Sequence, residues 1–81
     1  MPVIKELCDV QDELNWAVNH YGAFHSAHEG FAVIEEEFIE LRDEVFKNKE
    51  KRSITKMRKE AKQVAAMAVR FMVDICGEDK K

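Results

Sequence analysis

The stretch Ile34–Leu41 reads Ile-Glu-Glu-Glu-Phe-Ile-Glu-Leu and sets four carboxylates within six positions. At about 100° per residue on a helix, Ile34, Phe38, Leu41 and Val45 share one face. Glu37, Glu40 and Glu44 form a stripe beside that face, and Glu35 and Glu36 point further round. Solvated helices usually set Glu against Lys one turn away, because like charges repel by a few tenths of a kcal/mol. A wholly acidic stripe bordering apolar residues is stabilised by a cation. Carboxylate oxygens suit a hard divalent ion, Mg²⁺ first and Mn²⁺ second. The same stretch is also compatible with a strong helix former on a wet face.

A further acid, Glu60, lies on the flank of a later apolar seam, with Gln63 one turn on. Two readings of Glu60 stand. Arg70 or Lys56 could neutralise it as an ordinary core-edge acid. Alternatively, antiparallel packing of the two helices brings Glu60 against Glu37 and Glu40. Three converging carboxylates without a cation would cost several kcal/mol, so convergence implies a metal.

The elements that must position these acids follow from punctuation and periodicity. One proline and three glycines in 81 residues favour long helices in a single domain over residues 1–81. A first helix is predicted from about Pro2 to His20, with Val3, Leu7, Val10, Leu14, Ala17 and Tyr21 as its seam. Gly22 is expected to stop it in a left-handed conformation. Ser26-Ala27-His28-Glu29 reads as a capping box for a second helix, Ala27–Phe46, with Phe31, Ile34, Phe38, Leu41 and Val45 as seam. Gly30, early in that helix, marks a close approach of another helix or a ligand. A charged, mobile loop is predicted over 47–53. A third helix then runs from Ser53–Thr55 to about Cys76, and a frayed tail follows over 78–81. The run Val64–Val69 is apolar nearly all round, which requires burial on most sides and hence a partner subunit. The fold class is therefore all-α: three main helices forming a bundle that homo-oligomerisation completes.

Composition excludes several function classes. A net charge of −3 gives no general pull toward nucleic acid or a membrane surface. No apolar run approaches spanning length, and no signal pattern opens the chain. Cys8 and Cys76 lack metal-ligand spacing and read as reduced thiols of a cytoplasmic protein. Eight of the thirteen basic residues lie between Lys47 and Lys62. They form either a solvated loop and helix start or a rim that attracts phosphate.

The pair Glu37 and Glu40, preceded by Glu36, a spacer of nineteen residues, and Glu60 opening the next helix together resemble the MazG-like family. These are all-α nucleoside triphosphate pyrophosphohydrolases. His20–Ile34 looks like the lead-in of compact members, and Glu60–Phe71 like their closing helix, so the resemblance spans roughly residues 12–76. It departs at two positions. The family signature closes with ExxD where this chain has Glu60-Ala61-Lys62-Gln63, and Ile39 stands where compact members carry an acid.

The resemblance implies Mg²⁺-dependent cleavage of a (deoxy)nucleoside triphosphate to the monophosphate and pyrophosphate. Glu37, Glu40 and Glu60 would hold metal, with Gln63 assisting through its carbonyl oxygen. Glu36 would orient metal or water beside Glu37. Lys56 and Lys59 would meet the triphosphate, and Trp16, Asn15 and His28 the base or sugar. Trp16 is equally a packing residue and His28 a first-turn helix residue. The family also implies a homodimer or tetramer. A different class remains open: a helical oligomerisation module, or a nucleotide or metal binder that keeps the scaffold without turnover.

Overall fold

Two serines decide where the second and third helices begin. In the computed structural model, which describes residues 2–77, Ser26 Oγ accepts from the Glu29 amide at 3.0 Å and opens α2, Ala27–Val45. Ser53 Oγ accepts from the Lys56 amide at 3.2 Å and opens α3, Ile54–Asp74. The capping box closes one residue earlier than the motif suggests, since Glu29 reaches back to the His25 amide rather than that of Ser26. The first helix, α1, spans Ile4–His20 and has no side-chain cap, which explains its start two residues after Pro2. Among the described residues there is no strand. No helix among them is long and apolar enough to cross a membrane. The tail over 78–81 lies outside the described residues.

Two connections depart from expectation. Gly22 does not take a left-handed conformation. Tyr21 ends α1 in extended backbone, and no described glycine has positive φ. The loop after α2 is partly ordered. Asn48 Oδ1 accepts from the Glu50 amide at 3.1 Å and nucleates a 3₁₀ turn over Lys49–Lys51.

Helix α3 lies at the centre, with α2 packed against one flank and α1 against the other. No Cα of α1 comes within 8 Å of one in α2. Three helices are present, yet they leave an open trough and do not close into a bundle. The radius of gyration of 14.0 Å exceeds the roughly 12 Å of a compact chain of this length. The apolar residues buried are Ala17, Phe24, Ala66 and Met67, with Val10, Val33, Ile34, Phe71 and Ile75 packed around them.

The expected seam of α2 is rotated. Ile34, Leu41 and Val45 are half-buried, but Phe31 and Phe38 stay 60% and 57% exposed. A helix with a single neighbour buries one narrow stripe, and here that stripe is centred on Gly30, Ile34, Glu37 and Leu41. A Cβ on Gly30 would stand 2.7 Å from Phe71 Cδ2 and 3.0 Å from Phe24 Cδ2. The close approach marked by Gly30 is therefore that of two aromatic rings, one from α3 and one from the connection. On α1, Leu7 and Tyr21 are exposed although the heptad pattern places them in the seam. On α3, Ala66 and Met67 are buried, while Ala68 faces out.

Candidate metal centre

The rotation of α2 turns Glu37 into the contact with α3 rather than leaving it at the border. Antiparallel to α2, α3 presents Glu60 at the same level. Each of Glu37, Glu40 and Glu60 offers an oxygen, and the three oxygens lie within 4.8 Å of one another. Glu37 and Glu60 are half-buried and Glu40 is exposed. Neither cation that could have neutralised Glu60 does so. Arg70 is committed elsewhere, and no ion pair joins Lys56 to Glu60 among the described residues. Glu60 Oε2 is sealed from solvent without a hydrogen-bond partner.

The electrostatic consequence is strong. Burial, then the adjacent Glu40 carboxylate, push the Glu37 carboxyl up to about 7, with Glu60 and Glu36 adding to the effect. Burial followed by the adjacent Glu40 carboxylate also raises Glu60, against an opposing pull from Lys59. Two acids reluctant to ionise beside a third describe a site that is under-neutralised by protein alone.

The trio sits in a cleft of about 500 Å³ between α1 and α2, floored by α3. Gln63 and Lys59 line it beside the acids, and Trp16 and Tyr21 form the opposite, aromatic wall. Trp16 stacks on His20 with ring centroids 4.2 Å apart, and Tyr21 meets Trp16 edge-on at 5.6 Å. Four other residues singled out from the sequence lie elsewhere. Asn15 lines a separate groove between α1 and the last turns of α3, where it pairs with Gln11. His28, Lys56 and Glu36 are exposed and do not line the cleft. Glu36 is one residue out of phase with Glu37, and His28 one out of phase with the cleft-lining Glu29, whereas Lys56 lies one turn nearer the start of α3 than Lys59, beyond the end of the cleft.

Sequence reasoning missed Glu13, Glu29 and Arg70 as cleft-lining residues. Glu13, paired with Lys62 across 3.7 Å, carried a usable signal because it adjoins the seam residue Leu14 on the side of Ala17. Arg70 carried none, since its role depends on where the connection runs. No family model matches the chain, and neither does any curated protein or solved structure.

Proposed function

We propose that this protein is a Mg²⁺-dependent nucleoside triphosphate pyrophosphohydrolase, with Mn²⁺ as an alternative ion. The observation that carries the reading is the convergence of Glu37, Glu40 and Glu60 around the unpartnered, sealed oxygen of Glu60. The donor set fits the ion. All three ligands are hard oxygens, and a 4.8 Å spread exceeds only slightly the roughly 4.2 Å between opposite oxygens of an octahedron with 2.1 Å bonds. When bound, Mg²⁺ supplies positive charge to phosphate oxygens and Lewis acidity toward water.

The chain's own residues do the rest. Glu37, Glu40 and Glu60 hold the ion, and the Gln63 carbonyl adds a neutral oxygen on the same cleft wall. Lys59, at the acidic end, meets phosphate oxygens. Glu37 holds a proton below about pH 7 and would give it up where it ligates an ion. Trp16 and Tyr21 offer ring faces and edges to a nucleobase at the other end. In the substrate so oriented, a water oxygen bonds to phosphorus as the α–β anhydride bond breaks, giving a monophosphate and pyrophosphate with the water's protons released or shared between them. The exposed phenylalanines of α2 and the modest buried core support assembly into a homodimer or tetramer. Free Cys8 and Cys76 fit a reducing, cytoplasmic setting.

The experiment is pyrophosphate release from a panel of nucleoside triphosphates, followed with and without Mg²⁺. Glu37→Gln and Glu40→Gln serve as controls. The expected result is metal-dependent release that both substitutions abolish. A second reading, a helical interaction module, draws on the exposed Ile4, Leu7, Phe31 and Phe38. That reading gains if a stable oligomer forms whose melting is indifferent to Mg²⁺ and to both substitutions.

A further inference from the structure

The connection between α1 and α2 has no regular structure over Gly22–Phe24, yet α3 holds it at three points. The Arg70 guanidinium donates to the Gly22 carbonyl at 2.5 Å. The Phe24 amide donates to Asp74 Oδ2 at 3.0 Å. The guanidinium also lies over the Phe24 ring, 4.2 Å from its centroid. Arg70 and Asp74 stand one turn apart and face each other at 3.9 Å, with side chains only 6% and 17% exposed. A buried arginine with two separate contacts to one loop, braced by an acid that makes a third, is not an incidental surface charge.

What the clamp secures is one end of the cleft. Gly22 follows Tyr21 directly, and the Tyr21 ring meets Trp16 in a T-shaped contact. Phe24 is 7% exposed, and its ring also packs on Gly30 near the start of α2. The acidic end is built differently: Glu37 and Glu40 ride on the middle of α2 and Glu60 on the first half of α3. Arg70 lies ten residues, or roughly 15 Å of helix, beyond Glu60. The two ends of the cleft are thus fixed by separate sets of contacts.

We infer that Arg70, braced by Asp74, is a positioning residue for the ring-bearing part of the ligand and not for its phosphates. It fastens Gly22 and Phe24 to α3, so that Tyr21 and Trp16 present a preformed wall. Lysine cannot reproduce this. A planar guanidinium reaches the Gly22 carbonyl and Asp74 while its flat face covers Phe24, whereas an ammonium is a point donor without that face.

The inference rests on the nucleotide reading above, and the test separates the two. Steady-state kinetics with a nucleoside triphosphate are measured for the wild type, Arg70→Lys and Asp74→Asn. Mg²⁺ binding is followed by calorimetry, and inorganic triphosphate, which has no ring, is used as a competitive inhibitor. Arg70→Lys is expected to raise KM about tenfold, the scale of one lost charge-assisted hydrogen bond. It should leave kcat within about twofold, and leave Mg²⁺ affinity and inhibition by inorganic triphosphate unchanged. Asp74→Asn should shift KM in the same direction by less. Tyr21→Leu, which leaves the clamp intact, should reproduce the KM effect if either clamp variant fails to fold. The inference is overturned if KM is unchanged, or if inhibition by inorganic triphosphate and Mg²⁺ affinity weaken in parallel with KM. Absence of turnover in the wild type overturns the nucleotide reading itself, and is seen before any variant is made.

Discussion

Helix α3 meets α2 through rings and branched side chains, and meets α1 largely through charge. On the α2 side, Phe71 and Phe24 close over Gly30 at distances that leave no room for a Cβ, and Ile34 and Val33 complete the contact. On the α1 side the buried apolar pair is Ala17 and Ala66, flanked by Val10. Across the interface Asp9, which also pairs with Lys5 of its own helix at 3.0 Å, receives Arg58 at 2.6 Å, and Glu13 faces Lys62. Dispersion and burial fix distance tightly, whereas ion pairs at a partly solvated edge contribute less and tolerate movement. The acids that must converge therefore sit on the tightly packed pair of helices. The aromatic wall sits on the loosely attached one and needs the Arg70 clamp.

The largest effect should come from the ring contact. Phe71→Ala is expected to lower the free energy of unfolding by about 3 kcal/mol, whereas Val10→Ala on the α1 side should cost about 1. Urea denaturation measures both, and equal losses would erase the contrast between the interfaces. Glu60→Gln should weaken Mg²⁺ binding by about 100-fold or more, while the metal-free protein melts no lower than the wild type. Calorimetry and thermal melts read the two halves of that expectation. Gly30→Ala gains helix propensity, up to about 1 kcal/mol. It loses more through overpacking against the two rings, about 1–3 kcal/mol, so the net change should be a modest destabilisation accompanied by weaker Mg²⁺ binding.

The two interfaces should also answer pH in opposite directions. Glu37 ionises near 4.5 in an ordinary setting and near 7 here, so in between the folded chain keeps a proton that the unfolded chain has lost. Its contribution to stability is fully present below 4.5 and is lost as pH rises through 7. Asp9 is held below its ordinary 3.8, first by its hydrogen bond from Lys5 and then by that from Arg58. Its contribution is present above 3.8 and is lost as pH falls through the lowered value. Metal-free melting temperatures should therefore fall between pH 5 and pH 8, and Glu37→Gln should flatten that decline. Added Mg²⁺ should oppose it, because ion binding releases the proton. The smallest effect belongs to Asp9→Asn, a slight loss of stability that high salt removes. A salt-resistant loss would mean that α1 is held by more than its ion pairs.

Much of this molecule was legible before folding. Ser26 and Ser53 mark helix starts because a hydroxyl before an apolar-periodic run satisfies an orphan amide wherever it occurs. The three helices, the lack of strands among the described residues and the glycine that admits a neighbour are all local consequences of spacing. The acidic trio was legible as a conditional: Glu60 would meet Glu37 and Glu40 if α2 and α3 packed antiparallel. Other features could not be read in this way. Phe31 and Phe38 satisfy the apolar pattern as well as Ile34 does, and only the absence of a neighbour on their side leaves them exposed. Asn15, His28 and Lys56 have suitable residue types, but helix phase turns Asn15 and His28 from the cleft, and Lys56 lies in the first turn of α3, beyond its end.

The elements and the chemistry available to them follow from the chain's local order, because helix propensity, caps and charge are properties of neighbours along it. The tertiary structure alone decided that α2 would roll its carboxylates into the α3 contact, and that Arg70 would serve the connection instead of Glu60. It also decided that α1 and α2 would stand apart with a cleft between them. Those outcomes depend on which side chains from distant parts of the chain compete for the same space. That competition is settled by packing around Gly30, Phe24 and Phe71 and has no counterpart in sequence spacing.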